Sequence, residues 1–286
     1  MSSISFFRPA NISEACELLA KPNHLAVAGG TDLIVKLRNG LFPNAAALVD
    51  ISALPFKAIR KEGDRLLIGS GCTMSNVIAS PEVKEYFPAL VKAASTVGAT
   101  QIRNAATLGG NVANASPAGD TIPALFSLEA EVLIVGQTGK RKVAIDEFFT
   151  GPGRSVLKAG ELIEGFALPL RKTAGEFFKL GERRAHAISK INLALSVFND
   201  GQKRYRIAIG SAAPTVLRCK GAEELLEKAG EINEAIIEKA AEFACETAKP
   251  ISDVRSSKSY RKQMAGVLLK RALKAIIKPP DTVPND

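Results

Sequence analysis

The chain has 286 residues, 46% of them hydrophobic and 23% charged, with a formal net charge of +9. That length permits two or three domains and burial of roughly 75% of the unfolded surface; no apolar run approaches the ~20 residues of a membrane span, and "MSSISFFRPA" lacks the apolar core and cleavage site of a secretory leader, so a cytoplasmic protein is expected. The charge does not argue for nucleic acid: eight Lys or Arg and no acid lie between Arg255 and Lys278, so one segment accounts for nearly the whole excess, and Tyr260 is the one aromatic residue there to interleave with the cations.

In chain order, "NISEACELLA" reads as a helix capped by Asn11 or Ser13. The stretch "LAVAGGTDLIVKLRNG" (25–40) then runs a strand into two glycines and a short helix closed by Gly40, and "AALVD" is a further strand. These form a first α/β unit over residues 1–55. A second, over 56–174, starts with the strand "RLLIGSG", continues through helical patterns at 73–79 and 85–97 to "ATLGGNVANASPAGD", and closes with the strands "AEVLIVG", "KRKVAI" and "LIEGFALP". Strands at short intervals between turn signals suggest an α+β sheet domain. From 175 to 286 the character changes. Period-two alternation at Ile191, Leu193, Leu195 and Val197, a turn at Asn199-Asp200-Gly201, and Tyr205, Ile207 and Ile209 alternating back predict a β-hairpin. Helical patterns at 221–229, 231–248 and 255–277 follow, and Pro279, Pro280 and Pro284 read as a loose end. In the last helix Val267, Leu268, Ala272, Ala275 and Ile276 suggest an apolar stripe packed inward with Lys and Arg outward; a wholly solvated helix is the alternative.

The cysteines Cys16, Cys72, Cys219 and Cys245 show no metal-ligand spacing and are expected to be reduced and buried. Cys72, just before a possible helix start, could instead have a lowered pKa. His24 and His186 are the two histidines, and neither belongs to a catalytic acid–base set; "ERRAHAISK" reads as a mobile charged loop.

Two motifs carry chemistry. "AGGTD" (28–32) and "TLGGN" (107–111) each set a Gly-Gly beside a Thr with Asn or Asp close by. Successive backbone N–H groups in such segments form anion-binding concavities, to which the Thr31 and Thr107 hydroxyls would add donors, and a pyrophosphate fits both. Either pair alone is better read as a plain tight turn. A P-loop is absent, and "GSG" at 69–71 lacks the third glycine of a dinucleotide fingerprint.

Taken together, "AGGTD" and "ATLGGNVANASPAGD", preceded by "TVGATQIRN" and accompanied by "FFRPANISEACELL", "EFFKLGERR" and "YRKQMAGVLLKRAL", resemble the FAD-binding medium subunit of the molybdenum hydroxylases, the family of carbon monoxide dehydrogenase, xanthine dehydrogenase and 4-hydroxybenzoyl-CoA reductase. The resemblance covers essentially the whole chain. It implies an α+β fold: a two-part FAD-binding domain of the vanillyl-alcohol-oxidase (PCMH) type, then a C-terminal α+β domain with an antiparallel sheet and helices. It further implies that Ala28, Gly29, Gly30, Thr31 and Asp32 wrap one side of the FAD diphosphate and Thr107, Gly109, Gly110 and Asn111 the other. Asn114 and Asp120 would lie near the ribityl chain and the flavin or adenine end, and Lys179 at the cofactor. An acid repels phosphate, so Asp120 is expected to face the ring or the ribityl hydroxyls.

Neither glycine motif contains His or Cys, so FAD is expected to be non-covalent. The family implies a small [2Fe–2S] subunit and a large molybdenum-cofactor subunit as partners, with this chain passing electrons to NAD or another acceptor. Some relatives carry an additional cysteine-ligated cluster in this subunit, for which this chain has no cysteine group. The rival reading is a self-contained FAD-dependent oxidoreductase resembling the enolpyruvyl sugar reductase, which would need its own acid near the flavin in the C-terminal domain; the basic, acid-free end of the chain opposes it.

Overall fold

The chain opens with strand β1 (Ser5–Phe7) and helix α1 (Ile12–Leu19). Of the two candidate caps Asn11 is the one used: its backbone is extended and its side chain accepts the Glu14 amide at 2.9 Å, satisfying a donor that the first helical turn leaves unpaired. β2 (His24–Val27), α2 (Leu33–Arg38) and β3 (Ala47–Asp50) follow. These strands make a parallel sheet in the order β1-β3-β2. Gly40, at φ +73°, ends the turn after α2 in the left-handed region open to glycine. The computed structural model describes residues 4–183 and 186–277, and no helix among them is long and apolar enough to cross a membrane.

β4 (Ile59–Glu62) and β5 (Arg65–Gly69) begin a second sheet. The chain then runs through the short helices α3 (Met74–Ala79), α4 (Pro81–Tyr86), α5 (Pro88–Ser95), α6 (Thr100–Ala105), α7 (Leu108–Ala113) and α8 (Thr121–Ser127). Pro81 and Pro88 stand in the first turns of α4 and α5, where a missing N–H costs nothing. β6 (Glu131–Gly136), β7 (Gly139–Ala144), α9 (Ile145–Phe148), the small pair β8 (Phe149–Gly151) and β9 (Arg154–Ser155), and β10 (Leu162–Pro169) complete an antiparallel sheet in the order β4-β5-β10-β6-β7. Leu66, Ile68, Val132, Ile134, Phe166 and Leu168 form its buried side.

A third sheet, β11 (Thr173–Leu180), β12 (Ile191–Asp200), β13 (Gln202–Gly210) and β14 (Leu217–Arg218), is antiparallel in chain order, and α10 (Lys220–Lys228), α11 (Glu234–Thr247) and α12 (Lys258–Ile277) follow it. The hairpin turn is the expected one, with Asp200 opposite Gln202 and Gly201 at φ +100°.

Packing divides the chain into two compact units. One holds the described residues through Val77 with Gly98–Ala115 and Glu129–Leu170; the other holds Ile78–Val97, Ser116–Leu128 and the described residues from Arg171 on. The second unit therefore takes α4, α5 and α8 from the middle of the chain, and this alters the reading of the hairpin. Alternation marked one apolar face on β12, yet Ile191–Phe198 is buried throughout. Ile191, Leu193, Leu195 and Val197 pack with α10, α11 and α12. The opposite residues, which look polar or small in the sequence, lie under α5 and α8: the Ser196 and Ser127 hydroxyls meet at 2.9 Å. Paired with each other, they meet the requirement that a buried hydroxyl find a partner.

α12 corrects a second expectation. Leu268 and Ala272 are buried as the stripe predicts, while Val267, Ala275 and Ile276 are half-buried. The cations do not simply face water. Arg261 is itself buried and pairs with Asp253, Lys270 pairs with Glu238, and Lys274 with Glu234 at 2.6 Å, so three of them are tied down against α11 or the preceding loop. Arg261 helps hold the Asp253 carboxyl down at about 2, together with the Arg255 and Ser256 amides. Pro279, Pro280 and Pro284 lie outside the described residues, as does part of the loop expected to be mobile around 182–190.

Candidate functional site

The two glycines after β2 serve different needs. A side chain on Gly29 would place its Cβ 1.9 Å from the carbonyl oxygen of Ala105, so the close approach made here is to the end of α6. Gly30 has φ +67°, a conformation that costs other residues about 1–2 kcal/mol, and a Cβ there would meet Ile34 Cγ1 at 3.1 Å and Val27 Cγ2 at 3.7 Å. The turn leaves a row of donors open. Among the described residues no acceptor takes the amide hydrogens of Gly29, Gly30, Thr31 or Asp32. Asp32 stands at the N-cap position of α2 without making a side-chain cap bond; its carboxylate pairs instead with Lys36, one turn on, at 2.7 Å. The Lys36 ammonium also donates to the Asn114 side-chain oxygen at the end of α7. Lys36 thus joins the two motifs.

The second motif differs from its expected form. Gly109 and Gly110 form the first turn of α7 rather than a loop, with Thr107 as the cap. The Thr107 hydroxyl accepts the Gly110 amide at 3.0 Å, the Asn111 amide goes to the Thr107 carbonyl at 3.0 Å, and those of Leu108 and Gly109 go to the carbonyls of Cys72 at 2.9 Å and Ser70 at 2.8 Å. A concavity of free amides is therefore not what this segment presents. Gly109 is required for packing, since its Cβ would fall 2.5 Å from that of Ser70, whereas a Cβ on Gly110 would meet only the Thr107 hydroxyl at 2.9 Å. Cys72, below this helix, is buried, and burial pushes its thiol up to about 11, the opposite of the lowering that a following helix could bring.

Asp120 and Lys179 belong to the other unit, and they are partners. Asp120 is 6% exposed. One oxygen takes the Lys179 ammonium and the other the Ser189 hydroxyl at 2.7 Å and the Asn192 amide at 3.0 Å; Lys179 also donates to the Thr96 carbonyl at 3.1 Å. A carboxylate and an ammonium can be withdrawn from water together when both are hydrogen-bonded in this way. The strand lysine is consequently half-buried rather than solvated. Lys36, Ser189 and Asn192 were not singled out from the sequence. The first had a legible sign, its i,i+4 spacing from Asp32 on a predicted helix; the other two had none, because sheet register and loop path bring them to Asp120.

Ten of the twelve site residues expected from the sequence lie in the first unit and two in the second. The open amides beside a lysine suit an anionic group such as a diphosphate, and Gly30 in the left-handed region keeps the approach free of side chain.

The model of the FAD-binding domain of molybdopterin dehydrogenases matches residues 2–171, and that of the CO dehydrogenase flavoprotein C-terminal domain matches 176–276. The chain belongs to this family. It is 31% identical over 277 residues to the xanthine dehydrogenase FAD-binding subunit of Escherichia coli O157:H7, covering 94% of each chain. It is also 31% identical over 279 residues to the carbon monoxide dehydrogenase medium chain of Hydrogenophaga pseudoflava, covering 94% of this chain and 96% of that one. Among solved structures it superposes on a chain of the reconstituted CO dehydrogenase from Oligotropha carboxidovorans with TM-score 0.90 and 27% identity, over 96% of this chain and 98% of that chain. The protein is accordingly an FAD-binding oxidoreductase subunit of the molybdenum hydroxylase family, with that family's mixed helix-and-sheet architecture.

Proposed function

We infer that this chain is the exit for electrons in a hetero-oligomer, taking them from the [2Fe–2S] clusters of a small partner subunit that is itself fed by a large molybdenum-cofactor subunit, and passing them to NAD or another acceptor in the cytoplasm. Bound FAD supplies a carrier that takes electrons singly and releases them in pairs. The chain's part is to hold and orient it. The observation that carries this reading is the row of amides from Gly29 to Asp32 with no acceptor among the described residues, within the stretch matched by the FAD-binding domain model. With Ala28 they would hold one side of the diphosphate, and Thr107, Gly109, Gly110 and Asn111 would bound the other. Thr107 would act through its hydroxyl, and Gly109 by letting α7 sit against Ser70. Asn114, Asp120 and Lys179 complete the expected set, the last two as a mutually neutralised pair.

Non-covalent binding is tested by acid precipitation, which is expected to leave the yellow colour in the supernatant; colour kept in the pellet contradicts it. Size-exclusion chromatography from the native host, with metal analysis, is expected to find the chain with iron and molybdenum. A lone flavoprotein that turns over an organic substrate refutes the assembly. Mixing the reduced complex anaerobically with NAD⁺, then with a quinone, decides the acceptor by which one reoxidises it.

A further inference from the structure

Asp32 raises an electrostatic difficulty. Its backbone amide is one of the four open donors, yet its carboxylate stands on the same turn, where a negative charge opposes the entry of a diphosphate. Among the described residues the ion-pair partner of that carboxylate is Lys36, at 2.7 Å, and the same ammonium reaches Asn114 at the end of the second motif.

We propose that Lys36 is a positioning residue of the diphosphate subsite, cancelling the Asp32 charge beside the open amides and tying α2 to the end of α7 so that both motifs address one dianionic ligand. This rests on the FAD reading above. Two features give Lys36 this role over that of an ordinary surface lysine. It bonds to a residue 78 positions away in the sequence, and its side chain is 35% exposed where a solvated lysine would be largely free. The pair is open enough to water that salt weakens it, which makes the charge part of the role separable from the tethering part.

The experiment measures FAD binding to the full-length chain, stripped of flavin, by flavin fluorescence at low and high NaCl. Lys36→Met is expected to bind FAD about tenfold more weakly at low salt, because a charge-assisted contact of this exposure is worth about one decade. Raising the salt should recover much of that loss by screening Asp32 from the diphosphate, the reverse of the dependence expected for a lost phosphate contact. Adding Asp32→Asn, which keeps the backbone N–H and removes the charge, should restore affinity in the Lys36→Met background. Lys36→Arg should bind within about threefold of the parent. If Lys36→Met does not fold by circular dichroism, Lys36→Gln carries the same comparison. Affinity equal to the parent in either neutral variant overturns the proposal, as does a loss that neither salt nor Asp32→Asn relieves, which would leave Lys36 with tethering alone. A parent chain that takes up no FAD sinks the cofactor reading itself, and the proposal with it.

Discussion

The two Gly-Gly pairs of the first unit look alike in the sequence and work in opposite ways. At Gly29-Gly30 the backbone turns sharply and leaves four successive amides without acceptors among the described residues. At Gly109-Gly110 the backbone has already entered a helix, and the two amides are donated to Ser70 and Thr107. The first pair exposes donors; the second lets a helix sit against a strand end. A repeated dipeptide therefore marks close approach without saying what is approached, because glycine answers equally to a ligand, a neighbouring carbonyl and a neighbouring Cβ.

The largest effect expected is from Gly29→Ala. Its Cβ would stand 1.9 Å from the Ala105 oxygen and 2.6 Å from its carbon, so backbone must move, and a loss of about 3 kcal/mol or more in urea unfolding is expected. A parent-like midpoint would break the claim that this glycine serves packing. Gly109→Ala comes next, at about 1–3 kcal/mol, from the contact with Ser70 Cβ at 2.5 Å; pairing it with Ser70→Gly should relieve part of the loss, and strict additivity would show that the two do not touch. Removing the cap with Thr107→Val should cost about 1 kcal/mol, since the Gly110 amide loses its acceptor. The sharpest variant has the smallest expected effect on stability. Gly110→Ala meets only a hydroxyl and stays within about 1 kcal/mol of the parent, so a drop in FAD affinity without a matching drop in stability would identify Gly110 as a ligand contact. Finally, Cys72 reports on this region without changing it. With its thiol held up at about 11, it remains protonated at pH 8 and resists iodoacetamide in the folded parent, while Gly109→Ala should speed its labelling; equal rates would mean that α7 has not been loosened.

Comparison of the two units extends the lesson. In the first, the helix cap at Asn11 and the left-handed turn at Gly30 follow from residues within a few positions of one another. In the second, the residues that decide burial come from separate stretches: Ser127 meets Ser196, and Asp120 meets Lys179, Ser189 and Asn192.

What the sequence by itself determined is therefore the local layer. The hairpin at 191–210, the helices after it, the turn glycines and the Asp32–Lys36 spacing were legible because each depends on periodicity, a cap or a turn residue acting over a few positions. The family resemblance was legible too, because both motifs occur in order along the chain. The tertiary structure alone decided that α5 and α8 cover the far face of the C-terminal sheet, that the amides of the second glycine pair are taken by Ser70 and Thr107, and that Asp120 is neutralised by Lys179. A buried polar group must find its partner wherever packing brings one within hydrogen-bonding distance, and that distance is set by sheet register and helix placement, which no short window of residues encodes.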